Sequence, residues 1–255
     1  MRGKEIEMAE ASKRASGAPT VVDEALGKAM EALESHDWGS DLAALEAVDK
    51  AVSSSQPGEQ KELETRLAAV LKSNAPRAAK DYVCRKLAWI GTARSVPALA
   101  ALLANKDLAH MARYALERIG GAEAGKALRD ALPKVEGGVK IGVVNSLGAR
   151  RDSRSASQLA ALLNAPAPET AAAAAFALGR IGGAEAARAL AQYRRKAPKE
   201  YRLAAADACM ECARRLLAHG NREEALAIFR DLCAEDQPDH VRLAAKHAMS
   251  AADRV

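Results

Sequence analysis

The sequence predicts an all-α fold of stacked helical hairpins, an α-solenoid, and three observations predict it. The ten residues ALERIGGAEA (Ala115 to Ala124) return as ALGRIGGAEA (Ala177 to Ala186), with only Glu117 and Gly179 differing. From position 115 to position 177 the separation is 62, two steps of 31. Self-similarity at that period marks units that cannot bury their own apolar face and must stack. Alanine is abundant while aromatics make up only 3% of the chain, which suits closely packed helices better than strands. Leucines also recur at fixed offsets within each period.

Taken in order, residues 1–19 read as a polar, disordered tail, and residues 20–75 as an N-terminal helical cap. Thr20 with Asp23 or Glu24 can cap a helix reaching about Ser35. Ser40 or Asp41 opens a second, and Pro57, just inside a helix start, opens a third running to about Lys72. Leu42, Leu45, Val48, Val52, Leu63, Leu67, Val70 and Leu71 give these helices apolar faces. Terminal units of a solenoid must cover its exposed end.

Residues 76–255 carry the repeats. The anchor leucines are Leu87, Leu116, Leu147 and Leu178, with Cys209 and then Met249 in the same place. Three residues on come Ile90, Ile119, Arg150, Ile181 and Cys212, on the same helical face. Gly91, Gly120 and Gly182 are expected to end the first helix of each hairpin in the left-handed conformation. Twelve residues after each anchor come Leu99, Leu128, Leu159 and Leu190, and sixteen after come Leu103, Leu132, Leu163 and Arg194. These i, i+4 pairs are the buried stripe of a second, antiparallel helix. Arg150 stands where isoleucine is expected, and an unpaired arginine is costly to bury. Its turn is therefore expected to be remodelled with Arg150 swung outward, and Arg194 predicts a helix that frays before Pro198.

The run A-L-G-x-I-G at Ala177 to Gly182, followed by AxxAL at Ala186 to Leu190, resembles the HEAT-like repeat named after phycobilisome lyases. The resemblance covers roughly residues 76–253, best in 167–196 and weakest in 135–164 and 198–253. It implies a right-handed α-solenoid of HEAT-like helical hairpins. It is specific for fold and says little of activity.

Little in the sequence points to chemistry. Cys209 and Cys212 form a CxxC, but a structural zinc site needs four ligands, with His219 and Cys233 the remaining candidates. Because both occupy buried repeat positions, core packing is the simpler account. The four cysteines read as reduced thiols in apolar helices. His240 and His247 share a helical face but sit about 10 Å apart, too far for one ion. HEAT-like hydroxylases hold iron through His-Glu pairs, and this chain has only His36-Asp37. No nucleophile elbow, Walker loop or dinucleotide fingerprint occurs, and Gly137-Gly138 reads as a turn between helices. Bilin attachment, which the resemblance raises, has no matching residue motif. No catalytic residue, metal or cofactor is therefore expected.

Charge is uneven. Residues 1–75 carry 9 Lys/Arg against 14 Asp/Glu, residues 76–215 carry 24 against 12, and the remainder 5 against 7. Between the buried offsets of the second helices lie Lys126, Arg129, Arg154, Gln158, Arg188, Gln192 and Arg195. In this fold those helices line the concave face, so the seven form a candidate basic stripe beside the ordinary reading of a solvated helix face. The expected function is a non-enzymatic protein-protein interaction scaffold with an acidic protein partner. The alternative is a nucleic-acid-binding HEAT-like protein resembling DNA glycosylases. Such an enzyme needs aromatics in the groove to hold an extruded base, whereas Trp89 and Tyr114 lie on first helices. No apolar run is long enough for a membrane span, and the first twenty residues lack a secretory signal's apolar core. A cytoplasmic monomer is the resulting expectation.

Overall fold

The computed structural model describes residues 21–252, and among these every regular element is helical. The expected tail and the Thr20 cap lie outside the described residues. The chain divides into two compact units, Met1–Gly121 and Ala122–Val255.

In the first unit, α1 (Val21–Ser35) packs on a 3-10 turn (Leu42–Leu45) and on α2 (Glu46–Ser54). Asp41 opens that turn by accepting the Ala43 N–H at 2.8 Å. Next come α3 (Pro57–Lys72), α4 (Arg77–Ile90), the short α5 (Val96–Ala100) and α6 (Ala109–Arg118). The expected ends at Ser35, Pro57 and Lys72 match. Leu42 does not join the core; it is exposed, because the 3-10 turn presents Leu45 inward in its place. Helix α3 packs against α4 and α5, and α4 against α6, so first helices contact first helices.

Glu64 on α3 holds the α4–α5 turn. Its buried carboxylate accepts the Thr92 N–H at 2.6 Å, the Ser95 N–H at 3.1 Å and the Thr92 hydroxyl. Buried donors at a turn need such an acceptor. Gly91, at the end of α4, has φ −64° and is extended, contrary to the left-handed expectation. Glycine serves there as a spacer: a Cβ would lie 2.9 Å from Ile119 Cδ1. At the next turn Gly121, one residue beyond Gly120, takes the positive φ.

The second unit comprises α7 (Ala122–Ala131), α8 (Gly137–Arg150), α9 (Ala156–Leu162), α10 (Pro168–Ile181), α11 (Ala184–Lys196), α12 (Arg202–Ala218), α13 (Arg222–Leu232) and α14 (Asp239–Ala252). Helices α8, α10 and α12 pack side by side as one layer, while α9, α11 and α13 form the other. Leu147 and Leu178 are fully buried anchors, with Leu159 and Leu190 beneath them. Cys209 and Cys212 occupy their expected places in the core. Met249 is only half-buried, because α14 turns Val241, Ala245 and Ala252 inward.

Gly182 adopts φ 73° as expected. The turn after α8 is remodelled: Arg151 takes the left-handed position at φ 52°, with its N–H bonded to the Gly148 and Leu147 carbonyls. A left-handed non-glycine residue is held there by this hydrogen bonding. Arg150 is half-buried and engaged, so it is not simply swung out. Arg194 also departs from expectation. Helix α11 stays regular to Lys196, and the buried Arg194 guanidinium pairs with Asp231 on α13. The charge is compensated rather than expelled, as burial demands.

Candidate interaction surface

All seven residues of the predicted stripe lie in the second unit, on or beside α7, α9 and α11. On α11, Ala186, Leu190 and Tyr193 point into the core, so Arg188, Gln192 and Arg195 come out at i, i+4 and i+7 on the opposite side. All three are exposed. Arg154, in the 3-10 turn before α9, and Gln158, on α9, are exposed and four residues apart. Helices α9 and α11 are packed neighbours, which sets these five side chains on adjacent helices of one layer. Arg154, Arg188 and Arg195 have no ion-pair partner among the described residues.

The two residues on α7 are engaged. Lys126 pairs with Asp130 at 2.6 Å, an exposed i, i+4 contact that contributes little to stability. That lysine's hydrogen bond holds the Asp130 carboxyl below its ordinary range. Arg129 is different: its guanidinium pairs with Asp152, and both side chains are largely buried, at 15% and 13% exposure. This bridge ties α7 to the turn preceding α9, and Gly125 leaves room for it, since a Cβ there would lie 3.3 Å from Arg129 Nη1. Arg129 therefore serves packing, whereas the unpaired arginines of the stripe sit in the turn before α9 and on α11.

The other candidate chemistry does not assemble. Among the described residues, no group of three or more His, Cys, Asp and Glu side chains could hold a metal ion. Cys209 and Cys212 line a cavity of about 20 Å³ beside Leu190, Arg194 and Leu232, no larger than a single water needs. Burial pushes their thiols up to about 11 and about 12, and that of Cys84 to about 12. Thiols held in the protonated form are neither nucleophiles nor metal ligands at neutral pH. Cys233, expected in an apolar helix, instead caps the end of α13 and is half-exposed. Tyr193 is buried with its hydroxyl unpartnered, and burial raises its pKa.

Residues 126–211 match the family described as HEAT repeats, a span that contains the whole stripe. That stretch, about a third of the chain, is similar to HEAT repeats. No curated protein matches it. Two engineered proteins of known structure are similar to it at 21% identity, with TM-scores of 0.40 and 0.44. The alignments cover 81% and 88% of this chain and 96% and 67% of theirs. Human deoxyhypusine hydroxylase, solved with glycerol, is similar at 17% identity and a TM-score of 0.39, over 92% of this chain and 98% of its own. Among the described residues, no helix is long and apolar enough to cross a membrane.

Proposed function

We propose that this protein is a non-enzymatic interaction scaffold whose α9–α11 face receives an acidic protein segment. The observation that carries this reading is the set of exposed arginines, Arg154 in the turn before α9 and Arg188 and Arg195 on α11, without ion pairs among the described residues. Two neighbouring arginines of the same unit are committed instead, Arg129 to Asp152 and Arg194 to Asp231. Free guanidinium groups on a rigid layer are suited to carboxylates, which they bind bidentately. Gln158 and Gln192, between them, supply both donors and acceptors for a peptide backbone.

The test is a triple charge reversal, R154E/R188E/R195E, checked for native helicity by circular dichroism. A partner retained by the wild-type chain and lost by the variant supports the reading, and equal retention by both overturns it. Mobility shifts with duplex and single-stranded DNA at two salt concentrations settle the competing chemistry. Affinity for DNA that falls steeply with salt would assign the face to phosphates, because neutralising a phosphate releases counterions.

A further inference from the structure

The first unit presents a second surface, on its first-helix layer. Trp89 on α4 is 82% exposed, the most exposed large apolar side chain among those described. Arg85 lies one turn before it and is also exposed. On the adjacent α6, Tyr114 and Arg118 occupy the equivalent places: each pair sits two residues before and two residues after its buried anchor, Leu87 or Leu116. Because α4 and α6 are packed neighbours, these four side chains share one outward face of the unit.

Their chemistry is that of a recognition surface. Tryptophan, tyrosine and arginine dominate the binding energy of protein interfaces, and this chain has only two tryptophans and four tyrosines. Neither Arg85 nor Arg118 has an ion pair among the described residues. Nearby acids are committed or buried: Asp81 is buried beside Arg77, and Asp107 pairs with Arg77 at 3.7 Å. The free charge of the face is positive, which calls for an acidic occupant.

The aromatic geometry separates two acidic classes. A single strand of nucleic acid needs successive free ring faces on which bases stack. Tyr114 is half-buried and has one ring face taken by the Arg118 guanidinium, which lies 3.6 Å from its centroid and donates to the Tyr114 carbonyl at 3.1 Å. Of the two aromatics on this face, Trp89 is the one with no ring or cation contact among the described residues. One apolar anchor flanked by two guanidinium groups matches a peptide with one apolar side chain among carboxylates. We propose that the Arg85–Trp89–Tyr114–Arg118 face docks an acidic protein segment carrying an apolar anchor that packs on Trp89. This surface shares no residue with the α9–α11 face.

The probe is a fluorescein-labelled dodecapeptide of four Glu-Glu-Phe repeats, titrated by anisotropy against the full chain at low salt. The wild type is expected to bind. W89A, and separately R85A/R118A, are expected to weaken binding about 10-fold or more. R154E/R188E/R195E should leave this peptide's main site intact, which keeps failure here distinct from failure of the reading above. Because Trp89 and both arginines are solvent-exposed, these variants should retain native helicity. In a W38F background, the emission of Trp89 should shift to the blue as the peptide covers it. No binding by the wild type, equal binding by W89A, or displacement of the peptide by an oligothymidylate that binds more tightly would each overturn the proposal.

Discussion

Gly179 on α10 abuts the backbone of Ala208 on α12 so closely that a Cβ added to Gly179 would lie 2.7 Å from the Ala208 carbonyl oxygen. The same relationship recurs one hairpin earlier, where a Cβ on Gly148 would lie 2.8 Å from Ala177 Cα. In both cases the residue after a buried leucine meets the residue before the next anchor. The first-helix layer of this unit is thus set at close spacing by glycine against alanine. Gly179→Ala forces two backbones apart, and overpacking of this kind costs about 1–3 kcal/mol. Urea denaturation should register that loss, and a change under about 0.5 kcal/mol would place the contact at a yielding site.

Leu178, beside it, has 0% exposure. Truncating it to alanine should cost about 2–5 kcal/mol, the range for leucine deletions in close-packed cores. The same denaturation curves report it. A surface-like value would mean that the repeat register is misassigned.

Glu64 acts across hairpins in the first unit, binding the backbone N–H groups of Thr92 and Ser95 from a position that is 1% exposed. Glu64→Ala would strand those donors at a buried turn, at a cost of about 1–3 kcal/mol. The Thr92 and Ser95 amides should then lose protection from hydrogen exchange before the rest of α4 does. Unchanged protection would show that another acceptor or water replaces the carboxylate.

Arg129 and Arg188 should behave oppositely. Arg129→Ala leaves the Asp152 carboxylate largely buried and unpaired, and should lower stability by about 1–3 kcal/mol. Arg188→Ala, at an exposed site without an ion pair, should change stability by less than about 0.5 kcal/mol. Thermal denaturation of the two variants checks the division between packing and free charge. Equal effects would dissolve it.

The hairpins were legible because burial follows periodicity: Leu87, Leu116, Leu147 and Leu178 all fall where the offsets put them. Long-range partners were not legible. Arg194 looked like a helix-breaking misfit because its partner, Asp231, comes from a later hairpin at a distance no local pattern encodes. Arg129 looked free for the same reason. At Gly91 the property of glycine that matters is its lack of a side chain, not its left-handed freedom. For the surface, sequence offsets separated exposed from buried positions but could not show which exposed charges are already paired. The Trp89 face was not legible because only the packing of α4 on α6 brings Arg85 and Trp89 beside Tyr114 and Arg118.

The buried thiols give a pH dependence whose sign can be worked out. Burial raises Cys84 and Cys212 from 9.0 to about 12 and Cys209 to about 11. In the unfolded chain these groups ionise from about pH 9, while the folded chain keeps their protons, so the native state binds more protons. Their contribution is fully present below pH 9 and is lost as pH rises towards 11–12. Each thiol can steepen the loss by at most about 1.4 kcal/mol per pH unit. At pH 8 the native thiols should react very slowly with a disulfide reagent, since only about 0.1% of a group with a value near 11 is thiolate. Denaturant should release all three. The variant C84A/C209A/C212A should show a shallower decline of stability between pH 9 and 11 than the wild type, and an unchanged slope would mean that other groups govern the alkaline transition.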